Sequence, residues 1–325
     1  MDRAGFEKHE IVFFLVPDFS LIAFATAIEA LRIANRFLPR PAYEWTIASA
    51  DGAPVASSSG LEIRADASIA ALSSAAPPEM ALVCGGLNIE RFHDPAVFQW
   101  LRRLAGGGVI TGSLCTGAWV LAEAGLLEGR ECAIHWENLP AFSERFPRTR
   151  AHADLFIADG NFYTCAGGTA ALDMMVRLVS RHFGREVGDK ICEQALIDHA
   201  RAPRERQRMP LCSRLGASHP KLLFIIELME ANISEPLELV DIARYAGLSR
   251  RQVERLFSKH VGRPPARYYL DLRLEHAQRL LAQTSMPVIE VAIACGFTSA
   301  SHFSKCYRRL YNHPPHAERT RRRTA

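Results

Sequence analysis

The sequence predicts an α/β domain built on a parallel sheet, followed by an all-α domain with two helix-turn-helix motifs. Three observations predict it. Over the first 200 residues, short apolar runs alternate with segments of helical period, the pattern of a parallel sheet covered on both faces. Between Val240 and Pro315 one motif is written twice: a short helix, a glycine, a Ser/Thr cap and a second helix. Charge divides at the same place. Residues 1–200 carry 17 Lys and Arg against 24 Asp and Glu, a net of −7, and residues 218–325 carry 17 against 10, a net of +7. An acidic part joined to a basic one suits a nucleic-acid-binding module attached to a module with another task.

Taken in order, residues 10–16 (Ile-Val-Phe-Phe-Leu-Val after Glu10) form a short apolar run, read as a buried parallel strand. Pro17-Asp18-Phe19-Ser20 is a turn, and residues 21–35 have helical period. Residues 43–49 alternate as a strand, and residues 50–78, rich in Ala, Ser and Pro, hold at most short strands. Residues 80–84 are a strand ending in Gly85-Gly86, residues 95–105 a helix, and residues 109–114 a strand followed by Cys115 and a helix over 116–124. Residues 156–158 and 162–165 read as a hairpin around Asp159-Gly160. Gly167-Gly168-Thr169 opens a long helix to His182, and a further helix covers 186–199. The first domain is thus expected over 9–200. Residues 201–217, with five basic residues and one acidic, have no clear period and read as a linker. Residues 218–316 form the second domain, opened by a helix from Pro220, and 317–325 a basic tail without structure.

Composition bounds the class. A chain of 325 residues with 48% apolar content can build two or three cores. No apolar run approaches the roughly 20 residues of a membrane span, since Glu29 and Arg32 interrupt the best candidate. The N-terminus lacks the pattern of a signal peptide. Eight cysteines without regular spacing suggest reduced thiols in a cytoplasm, and with no CxxC pair no zinc site is expected; neither is any other metal or a cofactor.

The repeat explains its own geometry. Ala243 and Ala292 stand four residues before Gly247 and Gly296, where a small side chain lets two helices cross closely. The glycines suit the left-handed stop of the first helix. Ser249 in the first copy, and Thr298 or Ser299 in the second, can cap the helix that follows. Val253, Leu256 and Phe257, then Phe303, Cys306, Tyr307 and Leu310, make one buried stripe on each second helix. The opposite faces offer Arg250, Arg251, Glu254 and Arg255 in one copy and Ala300, Ser301, Ser304 and Lys305 in the other, with Arg308 and Arg309 beyond. Arg and Lys neutralise phosphates, and Arg can read a guanine edge. Pro264-Pro265 opens an intervening helix to Gln283. About 20 residues of helix span roughly 30 Å, enough to hold two reading helices about one DNA turn, roughly 34 Å, apart.

Residues 218–316 resemble the DNA-binding domain of the AraC/XylS transcription regulators. The resemblance rests on Gly-Phe-Thr-Ser-Ala-Ser-His-Phe-Ser-Lys-Cys-Tyr (296–307) and the following Pro314-Pro315. It implies that Arg251, Glu254 and Arg255, then Ala300, Ser301, Ser304 and Lys305, face bases. Ala300 departs from the polar residue usual there, which implies weak reading or a methyl contact.

A second motif lies in the first domain. Gly112-Ser113-Leu114-Cys115-Thr116-Gly117 places a thiol on a sharp strand-to-helix turn, as in a nucleophile elbow. A helix N-terminus there is expected to lower the pKa of the thiol. With Gly85-Gly86 after the neighbouring strand, residues 9–185 resemble the ThiJ/PfpI domain of the class I glutamine amidotransferases, which implies a flavodoxin-like sandwich. Enzymes of that family often carry His after the nucleophile, where this chain has Thr116. They usually bring a Glu from the first helix, where it has Ala23. No other base is evident, so a retained ligand pocket is favoured, with a cysteine-dependent hydrolase and an inert dimerising domain as the alternatives.

The two domains together resemble the amidotransferase-like, GlxA-type AraC regulators, on Gly-Gly-Thr-Ala-Ala-Leu-Asp-Met-Met (167–175) and residues 249–257. Members respond to arginine, glycine betaine, carnitine and similar compounds. The resemblance implies a non-enzymatic transcription activator whose partners are double-stranded DNA, a small effector and RNA polymerase, acting as a homodimer. Ile134-His135-Trp136-Glu137 speaks to the effector. It follows an expected strand and is expected to start a helix. A Trp face attracts a quaternary ammonium or guanidinium, Glu137 adds a carboxylate, and N–H groups at the helix starts of Thr116 and Glu137 could receive a ligand carboxylate. Gly86, Cys115, Thr116, His135, Trp136 and Glu137 are the candidate ligand residues. The alternative is that Trp136 is core and Glu137 a helix-start charge.

Overall fold

The computed structural model describes residues 8–207 and 219–318, and the chain divides into two compact units, residues 1–207 and 208–325. In the first unit, β1 (His9–Leu15), α1 (Leu21–Phe37) and β2 (Tyr43–Ser49) lead into three two-residue strands, β3 (Val55–Ala56), β4 (Glu62–Ile63) and β5 (Ala67–Ser68). Then come α2 (Ile69–Ser74), β6 (Met80–Cys84), α3 (Pro95–Gly106), β7 (Ile110–Leu114) and α4 (Ala118–Glu123). The unit closes with β8 (Glu131–Ala133), α5 (Leu139–Arg145), β9 (Arg150–His152), β10 (Phe156–Asp159), β11 (Phe162–Cys165), α6 (Ala170–Phe183) and α7 (Arg185–Gln194).

Seven strands form one sheet in the order β10-β11-β7-β6-β1-β2-β5, parallel throughout except for the β10–β11 hairpin. β1 lies between β6 and β2, and residues 11–15 of β1 and all of β6 are buried, as the unbroken apolar runs require. Helices α1 and α6 cover one face with Ala27, Ala30, Leu31, Ala171, Met175 and Val179 at helical spacing. The α/β sandwich with a largely parallel sheet is therefore the architecture of this unit.

The structure differs from the periodicity in four places. Helix α4 begins at Ala118, two residues after the expected Thr116. Helix α7 stops at Gln194 and does not run to His199, because Leu196 adopts a left-handed backbone (φ 57°). The strand expected before Ile134 is β8, but the helix expected at Glu137 begins at Leu139 as α5, and β9, which pairs with β8 in parallel, has no counterpart in the sequence reading. Residues 201–207, read from sequence as linker, hold to the first unit. The Arg201 N–H donates to Asp173 (2.7 Å), and Gln207 donates to the carbonyls of Ile134 and Asp154 (both 2.8 Å). The rest of the expected linker, and the basic tail from residue 319, lie outside the described residues.

The second unit contains α8 (Pro220–Ala231), α9 (Leu239–Tyr245), α10 (Arg250–His260), α11 (Pro265–Gln283), α12 (Val288–Ala294) and α13 (Ala300–Tyr311). Leu222, Ile225, Ile226, Met229, Ile242, Ala243, Val253, Phe257 and Tyr269 form the core of its first half. Val291, Ala292, Cys295, Phe297, Phe303 and Tyr307 are buried in the second. Among the described residues no helix is long and apolar enough to cross a membrane.

Candidate functional site

Two places in the chain concentrate exposed chemistry, one in each unit. In the second unit the repeat forms as its sequence requires. Gly247 (φ 62°) and Gly296 (φ 71°) end α9 and α12 in the left-handed conformation. A β-carbon on Gly296 would stand 2.4 Å from the Cδ of Pro236, so no larger residue fits that turn. Ser249 accepts from the backbone N–H of Gln252 and donates its own backbone N–H to Gln252 Oε1, a complete capping box. In the second copy Ser299, rather than Thr298, caps by accepting from His302 N–H. Arg273 of α11 donates to the carbonyls of Cys295 (2.8 Å) and Gly296 (2.7 Å) and lies over the Phe297 ring, which fixes the second turn against the long helix.

The outward faces carry the residues expected there. Arg250, Arg251, Glu254 and Arg255 are exposed on α10, and Ser301 and Lys305 on α13, with Ala300 and Ser304 half-buried. Arg250 and Glu254 form an i,i+4 ion pair at 3.0 Å, whereas Arg251 and Arg255 have no ion-pair partner among the described residues. Among the described residues, Arg251 and Arg255 thus present two guanidinium groups that no carboxylate engages. Helix α11 has 19 residues, about 28 Å at 1.5 Å per residue.

In the first unit Cys115 follows β7 with a left-handed backbone (φ 60°), the sharp turn of an elbow. Gly167, beyond β11, approaches it so closely that a β-carbon there would stand 2.6 Å from Cys115 Cβ. The Thr116 hydroxyl donates to the Gly86 carbonyl (2.8 Å), joining the loops after β6 and β7. All three loops lie at the C-terminal ends of adjacent strands, where open α/β sheets bind ligands. The expected lowering of the thiol pKa does not occur. Burial pushes Cys115 up to about 11, outweighing bonds from Thr116 and Ser20, and the Glu137 charge raises it further. No helix begins at Glu137 or Thr116. Helix α5 starts at Leu139 with only seven residues and α4 at Ala118 with six, so neither offers the carboxylate-binding terminus expected of them.

A cavity of about 180 Å³ opens beside Gly167, lined by His135, Trp136, Thr169, Arg201 and Gln207 among others. Its wall brings His135 and Trp136 together, their rings 5.8 Å apart and tilted. Burial lowers the His135 pKa, with Glu137 opposing, which favours the neutral imidazole. Glu137 is exposed and lies 3.9 Å from His135. Gly86, Cys115, Thr116 and Glu137 are not on the lining of this cavity, and the first three are buried in the loops behind it.

Arg201 and Gln207 went unnoticed in the sequence, because they stand in a stretch without periodicity. Arg201 donates from Nε and Nη2 to the buried Asp173 and from Nη2 to Thr169 (2.7 Å), which leaves Nη1 without a partner among the described residues. The Gln207 side chain accepts from Trp136 N–H (2.7 Å).

Comparison with known proteins agrees with both units. Residues 9–181 match the DJ-1/PfpI family and residues 242–321 a helix-turn-helix domain family. The chain is 46% identical over 309 residues to the HTH-type transcriptional regulator GbdR of Pseudomonas aeruginosa, covering 95% of this chain and 83% of that protein. It is 38% identical to the HTH-type transcriptional regulator GlxA of Rhizobium meliloti, covering 96% and 95%. A crystal structure of an AraC family transcriptional regulator from Pseudomonas putida is 33% identical, covers 58% of this chain and 99% of that one, and superposes with a TM-score of 0.52. On sequence and fold alike, the chain belongs to the AraC-type transcriptional regulators in which a DJ-1/PfpI domain precedes a helix-turn-helix DNA-binding domain.

Proposed function

We propose that this regulator is a homodimeric, cytoplasmic activator that senses a small nitrogenous metabolite through its first unit and reads two DNA segments through α10 and α13. One observation carries the DNA part: two capped helices in one repeat expose their polar faces, and on the first of them Arg251 and Arg255 are exposed cations with no ion-pair partner among the described residues. In this reading Arg251, Glu254, Arg255, Ala300, Ser301, Ser304 and Lys305 face bases and Arg250 faces backbone. RNA polymerase is the partner through which bound dimers act.

The effector is a zwitterion such as glycine betaine, carnitine or arginine. Its cation stands over the Trp136 ring and its carboxylate meets Nη1 of Arg201. A cavity of about 180 Å³ is smaller than the roughly 300–1,000 Å³ of drug-sized sites, which favours a small metabolite. In this reading the domain acts as a sensor: Thr116 and Ala23 stand where enzymes of the family carry His and Glu, and burial raises the pKa of the Cys115 thiol.

Thermal unfolding of the full chain with arginine, glycine betaine, carnitine, dimethylglycine, sarcosine and choline tests this. One compound raises the melting temperature of the parent chain and of Cys115→Ala but not of Trp136→Ala. A shift that disappears in Cys115→Ala and survives in Trp136→Ala would move the site to the thiol and favour covalent chemistry.

A further inference from the structure

The far edge of the sheet, at the N-terminal ends of its strands, carries a second cluster. His9 opens β1, Glu79 immediately precedes β6, and His182 lies in the last turn of α6. One donor atom from each lies within 4.8 Å of the other two. His9 Nδ1 is hydrogen-bonded to Glu79 Oε2. His182 Nε2 faces the other oxygen, Oε1, at 3.7 Å. That separation is too long for a hydrogen bond but close to the roughly 3.3–3.5 Å between two donors about 2.0–2.1 Å from one tetrahedral ion. The two imidazoles stack, with centroids 4.3 Å apart and planes 19° apart.

The donors are fixed before any ion arrives. The His9 N–H donates to the Ala42 carbonyl (2.8 Å), and Glu79 donates to Glu10 (3.0 Å) and accepts from Ile110 (3.1 Å) through its backbone. The Tyr43 hydroxyl is 2.9 Å from His182 Nδ1, the ring nitrogen turned away from Glu79. A ligating imidazole needs such an outer partner to accept its second N–H and hold the ring. Phe183 meets the His9 ring edge to face. The side chains of His9, Glu79 and His182 are 13%, 34% and 20% exposed, so an ion can reach them from solvent.

We infer that His9, Glu79 and His182 form a binding site for a divalent transition-metal ion of the zinc class. Two imidazoles and one carboxylate are a borderline donor set that suits Zn(II), Co(II) and Ni(II) over Mg(II) or Ca(II). The carboxylate gives up its hydrogen bond to His9 and coordinates the ion, and solvent fills the fourth position. The ion ties the end of α6 to the starts of β1 and β6. This site is separate from the cavity at Trp136, which lies at the opposite ends of the strands.

The test is a Co(II) titration of tag-free full chain, read by visible absorption, followed by Zn(II) competition. The expected result is one equivalent of Co(II) with a low-coordinate spectrum, displaced by Zn(II). In Glu79→Gln and His182→Gln the affinity falls at least about tenfold, and Tyr43→Phe, which leaves the donors in place, falls about tenfold as an outer-shell loss. Near-UV circular dichroism selects the variants that fold, and Tyr43→Phe and Glu79→Gln make the smallest changes. His302 Nε2 lies 3.3 Å from Cys306 Sγ on α13 and could hold metal by itself, so Cys306→Ser serves as the control and retains the spectrum. Absence of a Co(II) spectrum, unchanged affinity in folded Glu79→Gln, or loss of the spectrum in Cys306→Ser would overturn the proposal.

Discussion

Arg251 and Arg255 sit on the same exposed face as Arg250 and Glu254, yet only the latter two are neutralised by one another. An unpaired guanidinium keeps its donors for a base edge or a phosphate. Arg251→Ala is therefore expected to weaken binding to a native promoter by about 1–3 kcal/mol, measured by fluorescence anisotropy at fixed salt. Equal affinity for both proteins would show that α10 docks differently. Cys115 illustrates the opposite case, where surroundings overrule a local feature. The elbow gives it a strained backbone, but burial sets its chemistry. With the pKa raised to about 11, only about one thiol in a thousand is ionised at pH 8. Alkylation of Cys115 by iodoacetamide, followed by peptide mass spectrometry, is expected to be slow at pH 7–8 and to rise toward pH 11. Rapid labelling at pH 7 would contradict the buried thiol and reopen the hydrolase reading.

Among the elements, α11 has the largest structural task in the second unit. It offers Tyr269 to the first core, Arg273 to the second turn, and Leu274, Ala277, Leu280 and Leu281 to the interior. The same helix carries the half-buried His276, whose pKa is lowered to about 4 by desolvation and by the nearby Arg279. The unfolded chain therefore binds a proton that the folded chain refuses between pH 6.5 and about 4. Stability from this group is complete above pH 6.5 and is lost as pH falls through that window. Denaturant unfolding of the second unit should show this slope in the parent chain and a shallower one in His276→Gln. Identical slopes would place the acid sensitivity elsewhere. The turns at Gly247 and Gly296 are the other points where α9–α10 and α12–α13 depend on one residue each, since both need a left-handed backbone.

At the scale of the whole molecule, an acidic sensing unit and a basic reading unit share one chain. The helical spacer of about 28 Å suits two major-groove segments separated by about one turn. A footprint of one chain should then protect two segments about 10 base pairs apart on one face of the duplex. Sedimentation should find a dimer, because most homo-oligomers are twofold and a twofold protein matches a paired operator. A monomer that protects a single segment would refute both the spacing and the assembly.

The sequence by itself determined much of this. The repeat at 240–315, the unbroken apolar runs of β1 and β6, the Ser249 cap and the glycine stops are local, so period and spacing revealed them. Local chemistry also marked Arg251, Lys305 and Trp136 as candidates, which the fold leaves on exposed helix faces and on a cavity wall, because charge and aromaticity at a helical or strand-end position are visible in one dimension. Tertiary structure alone decided the rest. It sealed Cys115 under the loops and reversed the expected direction of its pKa. It folded Arg201 and Gln207 from an aperiodic stretch onto the cavity at Trp136, and it gathered His9, Glu79 and His182 from positions up to 173 residues apart. Burial and long-range proximity arise only when distant strands align, and no spacing along the chain encodes them directly.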